Sequence, residues 1–239
     1  MYSRENYRRL LSTAIEANYE FCDFTSITKP GEKHIYLRHD VDLSPTAALQ
    51  LARENRALKV SGTFFFSFRS SNYNLVASPI SEKVHMIHSL GQKIGFMYDA
   101  LSTHNDKQKP FTAVVEDFEA FVRIIPEAQP VFTCRNASEA LIHWLSDHSI
   151  PEMTHIHDPQ FRRLPTCVDT EAKFSISNLL SCVEKQFPDL VFALHPDFWI
   201  AGGQTSSKLS ENIQPFVLHD MGLDPIDPTS LYDLENPLS

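Results

Sequence analysis

The sequence predicts an α/β fold in which helices cover a parallel sheet, and three observations support this. Short apolar runs without polar alternation, such as the three consecutive phenylalanines within residues 62–68, indicate strands that are buried on both faces. Amphipathic stretches with apolar residues at helical spacing lie between these runs. The two patterns alternate about seven times, which favours a parallel sheet with right-handed crossovers, either closed as a barrel or left open.

The first half of the chain begins with an amphipathic helix and then alternates strands and helices. Ser44 is a typical helix N-cap, and Pro45 suits the first turn that follows it. Gly91 is a typical residue to end a helix. Pro110 and Pro126 bound the clearest apolar helical stripe. The predicted elements are, in order, a helix over 4–18, a strand over 35–42, a helix over 45–58, a strand over 62–68, a helix over 81–90, a strand over 93–98 and a helix over 110–125.

The second half continues the alternation with shorter pieces. Asn136 or Ser138 can cap a helix that carries Leu141 and Trp144. The other predicted elements are strands over 131–134, 153–157 and 190–194, extended pieces near 164–168, a helix over 172–186 and a short helix over 209–213. No linker divides the chain, so we expect one domain over 1–239. Within it, residues 1–30 form an N-terminal helix and lead-in, and 202–239 form a wrapping tail in which Asp220 is solvated surface.

Composition excludes several classes of protein. The chain has 239 residues, a formal charge of -9, 42% hydrophobic and 21% charged residues. Neutralising nucleic-acid phosphates needs a basic face, so we expect no nucleic-acid partner. No apolar stretch has the length that crosses a bilayer, so we expect no membrane insertion. The four cysteines lack CxxC spacing and the N-terminus lacks the apolar core of a signal peptide, which together predict reduced thiols in a cytoplasmic protein.

The strand over 35–42 ends in two acids, Asp40 and Asp42. Side chains at i and i+2 of a strand point to the same side, so the two carboxylates should lie together where the strand meets solvent. Close carboxylates raise one another's pKa unless a cation or hydrogen-bond donors lie between them. The pair therefore indicates a metal site or a proton-transfer site. In the alternative interpretation, Asp42 only opens the loop before Ser44.

Other polar side chains follow the remaining predicted strands. In parallel α/β folds, functional groups collect at the C-terminal ends of the strands. We therefore expect a single site at that edge of the sheet. The chain has no G-x-S-x-G, Walker A or G-x-G-x-x-G motif, so no nucleotide cofactor is predicted. The side chains expected at this edge, besides the two acids, are Arg69, Tyr98, Asp99, Arg135, His155, His157 and His195.

Four short segments resemble the polysaccharide deacetylase (NodB-homology, carbohydrate esterase 4) superfamily, and in particular its deacetylase-like branch tied to surface-polysaccharide synthesis. They are RHDVD at 38–42, LGQKIGFMYD at 90–99, CRN at 134–136 and LHPDFW at 194–199. The resemblance spans roughly residues 35–200. It implies a distorted (β/α) barrel of about seven strands and a hydrolase that removes an acetyl group from an amino sugar with a divalent, zinc-like metal.

The resemblance assigns roles to residues of this chain. Asp40 matches the general base, Asp42 a metal ligand, Arg135 the arginine that orients the base, and His195 the general acid. The two remaining metal ligands of the family are histidines, and they align with Met97 and Leu101 here. A thioether is a poor ligand for a hard divalent ion, and leucine is no ligand. The usual metal site of the family therefore cannot form.

Three explanations follow from this loss. In the first, His39, Asp99, His104, His155 or His157 completes a metal site with Asp42. In the second, the enzyme works without metal, with Asp40 as base and Arg135 or His195 stabilising the oxyanion. In the third, the chain is an inactive protein that binds a sugar or nucleotide-sugar, or serves as a scaffold in polysaccharide synthesis. The predicted substrate-binding residues are Arg69, Tyr73, Tyr98 and Trp199.

Overall fold

Helices and strands alternate along the chain in the computed structural model, which describes residues 2–26, 28, 32–100, 110–148, 150–170, 175–202, 206–223 and 227–228. The strands are β1 (Tyr19–Cys22), β2 (Lys33–Val41), β3 (Thr63–Ser67), β4 (Lys93–Asp99), β5 (Val131–Arg135), β6 (Thr154–His155), β7 (Thr166–Val168) and β8 (Asp189–Leu194). The helices are α1 (Arg4–Glu16), α2 (Pro45–Ala57), α3 (Ser78–Ser89), α4 (Pro110–Ile124), α5 (Glu139–Asp147), α6 (Pro159–Arg162), α7 (Ile176–Glu184), α8 (Pro196–Ala201) and α9 (Ser206–Asp220).

The strands form one parallel sheet with β2 near its middle. Seven strands pair side by side in the order β6-β5-β4-β3-β2-β8-β7, and β1 pairs separately with β2. Every one of these pairings is parallel. Within the described ranges no pairing joins β6 to β7, so the sheet is a curled half-barrel. This confirms the predicted α/β fold and the barrel of about seven strands.

The two faces of the sheet are packed differently. On the convex face, Leu37 and Phe64 belong to the large apolar core between the sheet and the helices. On the concave face, a smaller apolar cluster fills the inside of the curl. Side chains alternate between the faces along a strand, so Arg38 and Asp40 lie on the concave face with Tyr36. The buried members of the concave cluster are Phe24, Tyr36, Phe65, Met97, Val131, Ile156, Phe161 and Val191.

Several elements differ from the sequence prediction, among them the short helices α6 and α8, which were not predicted, and β6, which is shorter than the strand expected over 153–157. β1 was not predicted, because four residues with a charged side chain among them are too short to show a period. α9 spans Ser206–Asp220 instead of 209–213, and it continues through Pro215. The expectation that Asp220 is solvated surface is wrong, because the residue is 6% exposed and accepts hydrogen bonds from Ser44 and Thr46. The long helix therefore packs against the loop that follows β2.

Two of the four cysteines are bonded to each other. Cys167 and Cys182 form a disulfide, whereas Cys22 and Cys134 are free. The expectation of four reduced thiols is therefore wrong; β7 and α7 bring the bonded pair together although the sequence spacing gives no signal. Among the described residues, no helix combines the length and apolar character needed to cross a membrane.

Candidate functional site

Three side chains from three strands meet at the C-terminal edge of the concave face. Asp42 follows β2, Arg135 ends β5 and His195 follows β8. Nη1 of Arg135 lies 3.3 Å from Oδ1 of Asp42, and Nε2 of His195 lies 3.7 Å from Oδ2. Asp42 and Arg135 keep 25% and 34% of their side-chain surface exposed, so a ligand can reach both. The structure thus brings an acid, a guanidinium and an imidazole together, as expected from the strand ends.

Asp169, which the sequence analysis missed, holds His195 from behind. Its buried carboxylate lies 2.6 Å from Nδ1 of His195 and accepts the His195 backbone N–H at 2.7 Å. It also accepts the indole N–H of Trp199 at 2.8 Å. The only signal in the sequence is that Asp169 directly follows an extended piece, the three-residue strand β7. Asp169 fixes the ring so that Nε2 faces Asp42.

The surroundings of His195 favour the protonated form of its ring. Burial by itself would lower the pKa of His195, but the hydrogen bond and charge of Asp169, together with Asp40 and Asp42, raise it to about 9. The ring also stacks on Phe198, with the ring centroids 5.2 Å apart. His195 is therefore a proton donor in this geometry, the role of a general acid.

Asp40 lies deeper in the concave face and is paired with Arg38. The guanidinium of Arg38 donates two hydrogen bonds to the Asp40 carboxylate, at 2.6 and 2.5 Å, and a third to Oγ1 of Thr133 on β5 at 2.8 Å. The guanidinium carbon also lies 5.9 Å from the centre of the Phe65 ring. Both oxygens of Asp40 therefore already accept hydrogen bonds from Arg38. The sequence analysis did not predict this pair.

The loop after β2 is held by a second buried acid. The Asp197 carboxylate accepts the backbone N–H groups of Leu43 and Ser44, at 3.2 and 3.0 Å. Burial and the nearby charge of Asp42 raise the pKa of Asp197 to about 7. Burial also raises the pKa of Asp42, although His195 and Arg135 oppose that shift. Asp42 is therefore a better proton acceptor than an ordinary aspartate.

The candidate replacement ligands do not gather around Asp42. His39 lies on the convex face, where Nε2 is 2.8 Å from the Tyr7 hydroxyl and the ring stacks on Phe64 at 4.1 Å. Burial lowers the pKa of His39 to about 3. Asp99 accepts a hydrogen bond from the Asn136 side chain at 3.0 Å.

His155, the last residue of β6, and His157, which follows it, are engaged with one another and with the core. His155 is 3% exposed and packs on Phe132, with ring centroids 4.3 Å apart, and its Nδ1 accepts the His157 backbone N–H. β6 ends at His155, so the two side chains do not share one strand face as expected. Burial lowers the pKa of His155 to about 3 and that of His157 to about 4, with the cation of Arg38 acting in the same direction.

The residues present do not fit the metal that the family resemblance implies. Asp42 faces two cationic groups, Asp40 is engaged by Arg38, and Met97 is buried in the concave cluster. Leu101 and His104 lie outside the described residues. Across the described ranges, the group of three carboxylate or imidazole ligands close enough for one ion is Glu20, Glu32 and His34. That group lies at the N-terminal end of β2, the opposite end from Asp42.

The predicted substrate-binding residues have different surroundings. Arg69 is paired with Asp117 of α4, with its Nη2 at 2.7 Å from Oδ1. Tyr73 donates its hydroxyl proton to the Val41 carbonyl at 3.0 Å, and Trp199 is fully buried. Tyr98 is 4% exposed. The Tyr73 hydroxyl and the Trp199 indole thus help to hold the loops around Asp42. The role of all four residues in binding stays a prediction.

A cavity of about 680 Å³ lies between the β3–α3 loop, α3 and the end of α9, and Asp42, Arg135 and His195 are not among the residues that line it. Asn72 is its link to Asp42, because Asn72 lines the cavity and donates a side-chain hydrogen bond to the Asp42 backbone carbonyl at 3.0 Å. The cavity has amide, hydroxyl and apolar walls from the β3–α3 loop and from the end of α9. Its polar lining includes Ser70, Ser71, Asn72, Asn74, Lys83 and His219.

Comparison with known proteins finds similar solved structures. A mutant of BA3943, described as a CE4 family pseudoenzyme with restored enzymatic activity, has 16% identity and a TM-score of 0.47 over 76% of this chain and 60% of that chain. Wild-type BA3943 from Bacillus anthracis, also described as a CE4 family pseudoenzyme, has 16% identity and a TM-score of 0.44 over 76% of this chain and 58% of that chain. Both neighbours are described as CE4 proteins. This chain spans about six tenths of the length of each of them.

A third similar structure is the uncharacterized protein ATU2773 from Agrobacterium tumefaciens C58. It has 7% identity and a TM-score of 0.38 over 84% of this chain and 87% of that chain. No family model matches the sequence. No curated protein matches it either. CE4, the family of the first two neighbours, is also the family that the four sequence segments resemble.

Proposed function

We propose that this chain is a deacetylase-like hydrolase that cleaves the amide C–N bond of an N-acylated sugar. The observation that supports the proposal is the line of groups Asp169, His195 and Asp42, with Arg135 beside it. An acid, a proton donor and a fixed cation at one solvent-accessible edge are the groups that amide hydrolysis needs. Packing alone does not require them together.

The proposed reaction uses only groups of the chain. Asp42 accepts a proton from water as the water oxygen bonds to the acyl carbon, and Arg135 stabilises the oxyanion that forms. Protonated His195 then gives its proton to the sugar nitrogen as the C–N bond breaks, which leaves a carboxylic acid and an amine. We place Asp42 in the role of base because both Asp40 oxygens are engaged by Arg38. The family resemblance assigns that role to Asp40, so the two assignments are tested against each other.

The test measures acetate release from N-acetylated amino-sugar oligomers. We expect Asp42→Asn and His195→Gln each to lower the rate about a hundredfold or more. Glu127→Gln, an exposed acid that pairs with His85, is the matched control and should keep the rate. Loss of turnover in Asp40→Asn with turnover kept in Asp42→Asn would return the role of base to Asp40. Absence of acetate release from any acylated sugar would reject the hydrolase.

The second candidate is an inactive protein that binds a sugar or nucleotide-sugar. The cavity between the β3–α3 loop and the end of α9 favours it, since its walls combine amides, hydroxyls and apolar groups that suit a polyol. Calorimetric binding of a sugar without turnover, weakened by Asn72→Ala, would support this function over hydrolysis. A cytoplasmic location stays a prediction, and the Cys167–Cys182 disulfide is of a kind more common in oxidising compartments.

A further inference from the structure

Arg38 carries a buried positive charge in the middle of the concave face. Its side chain is 16% exposed, and the side chain of its partner Asp40 is 12% exposed. The pair is bidentate, with N–O distances of 2.6 and 2.5 Å. Bidentate arginine–carboxylate pairs are among the strongest hydrogen-bonded pairs in proteins. The sequence analysis gave this residue no role, although it lies inside the motif at 38–42.

The guanidinium of Arg38 also crosses the inside of the sheet. Arg38 is on β2 and Thr133 is on β5, and the sheet order places β3 and β4 between them. The hydrogen bond to Thr133 at 2.8 Å therefore spans the curl, with the Phe65 ring beneath the guanidinium. The space inside the half-barrel next to Asp40 is filled by a cation that the chain itself supplies.

The charges at the site are balanced without an added ion. Asp40 faces Arg38, and Asp42 faces Arg135. Guanidinium groups keep their charge at all ordinary pH values, so both cations are permanent. A divalent ion near the two acids would meet these cations at short range, and the repulsion would be strongest beside Arg38 and Asp40, whose side chains are only 16% and 12% exposed. The donors that the family supplies at 97 and 101 are a methionine and a leucine here.

We infer that Arg38 supplies, beside the two acids, the positive charge that a divalent ion would supply, and that it holds Asp40, the match of the family's base, in the concave site. Arg38 is a positioning residue, because it acts through Asp40 and does not reach the open edge. The inference deepens the proposed function by stating how that site is charged, and it rests on the proposed function only for its consequence in catalysis. Zinc affinity tests it without any substrate.

The experiment measures calorimetric binding of zinc chloride to Met97→His variants. This substitution places an imidazole on the concave face of β4, in register with Thr133, which accepts a hydrogen bond from Arg38. In that background we expect Arg38→Gln, which removes the charge and keeps polar atoms, to tighten zinc binding about tenfold or more. Arg38→Lys keeps the charge and should leave zinc affinity unchanged. Arg8→Gln is the matched control, because Arg8 makes a bidentate pair with nearly buried Glu54 on the helical side of the sheet.

The outcomes separate the inference from its alternatives. Equal zinc affinity in Met97→His with and without Arg38→Gln would overturn it. One equivalent of zinc in the wild-type protein that disappears in Asp42→Ala would overturn it as well, because the site would then hold a metal beside Arg38. Arg38→Met, of similar volume, provides a second measurement if the glutamine variant does not fold, as judged by circular dichroism. Loss of acetate release in all variants would bear on the proposed function and leave the zinc comparison intact.

Discussion

The Asp169 carboxylate sets both the position and the charge of the His195 ring. It contacts the ring nitrogen and the backbone N–H of His195 and the indole of Trp199, so each of its oxygens is engaged. A histidine with one nitrogen held by a carboxylate presents the other nitrogen in a fixed direction. Here that direction leads to Asp42.

Asp169→Asn should remove the negative charge next to His195 and one of the two acceptor oxygens that hold the ring in place. We expect the pKa of His195 to fall from about 9 toward its ordinary value of 6.5, because an amide carries no charge. We also expect unfolding free energy to drop by about 1–3 kcal/mol, since one buried acceptor oxygen is lost. NMR titration of the His195 ring measures the first effect. Asp189→Asn is the control, because Asp189 holds His34 in the same way at the other end of the sheet and its loss should not move His195.

The sign of the pH effect at His195 follows from linkage. The folded protein binds the His195 proton more tightly than the unfolded chain, so this contribution to stability is complete below about pH 6.5. It is lost as the pH rises through about 9. Asp169→Asn should therefore flatten the alkaline limb of the stability profile measured by urea unfolding. An unchanged alkaline limb would show that the ring is not held in its charged form.

Residue identity alone predicted part of this site. Asp42, Arg135 and His195 meet because each follows a strand of a parallel sheet, and the sequence shows strand ends well. His39 was wrong as a candidate ligand because consecutive side chains of a strand point to opposite faces, so His39 faces away from its neighbour Asp40 and lies on the convex face with Phe64. Asp169 and Arg38 were missed because their importance comes from partners far along the chain, and a single sequence does not show such partners.

At the scale of elements, α1 braces the centre of the sheet through one hydroxyl group. Tyr7 is fully buried, donates to Oδ1 of Asn55 on α2 at 2.5 Å, and lies 2.8 Å from Nε2 of His39 on β2. If Tyr7 donates to Asn55, His39 donates Nε2–H to the Tyr7 oxygen. The hydroxyl therefore joins two helices to the central strand.

Tyr7→Phe removes that junction and little volume. We expect unfolding free energy to fall by about 1–3 kcal/mol, because the polar atoms of His39 and Asn55 would be left buried without this partner. Tyr19→Phe is the control, since the Tyr19 hydroxyl donates only to the Phe187 carbonyl, at 2.8 Å, near the surface. Guanidinium unfolding of both variants gives the comparison. Equal losses in the two variants would contradict the bracing role.

The C-terminal helix α9 is tied to the site loop by Asp220. Its carboxylate accepts from the Thr46 hydroxyl at 2.5 Å and the Thr46 backbone N–H at 3.1 Å, and it pairs with Lys83 at 2.8 Å. The sequence favoured a short helix and a surface acid here, because polar residues and Pro215 hide the periodicity of α9. The contacts of Asp220 with Thr46 and Lys83, which lie far away in the sequence, are not visible in that local pattern.

Asp220→Ala should destabilise the protein and loosen the loop that carries Asp42. We expect a loss of about 3–5 kcal/mol, the cost of breaking a buried pair and leaving Lys83 uncompensated. Glu211→Ala is the control on the same helix, because its pair with Lys208 is exposed and worth little. Differential scanning calorimetry gives the stabilities. Amide exchange of residues 42–44 and 46 should rise in Asp220→Ala alone, and protected amides in that variant would contradict the tie.

At the scale of the whole molecule, the fold keeps several titratable groups in their neutral form. The sequence predicted the sheet and its helices from apolar periodicity, which reports burial of apolar residues. It did not predict which histidines are buried, because a histidine inside a strand has the same letter whether it faces the core or the solvent. Burial lowers the pKa of His39, His155 and His157 to between about 3 and 4.

These histidines should make the protein sensitive to acid. A group whose pKa is depressed on folding stabilises the fold above its unfolded pKa, 6.5 here, and this stabilisation is lost as the pH falls toward the folded value. Unfolding between about pH 6 and 4 thus takes up roughly three protons on the histidines. Asp197 offsets one of them, because its raised pKa of about 7 means that the folded state already holds that proton.

The net uptake of roughly two protons predicts that unfolding free energy falls by about 2–3 kcal/mol per pH unit in this range. Guanidinium unfolding at pH 6, 5 and 4 measures the slope. His39→Gln should reduce the slope by about one proton, since it removes one buried group that charges only on unfolding. His88→Gln, at an exposed position on α3, should leave the slope unchanged. A slope that His39→Gln does not alter would mean that His39 is charged in the folded protein, which its stacking on Phe64 beneath the helices opposes.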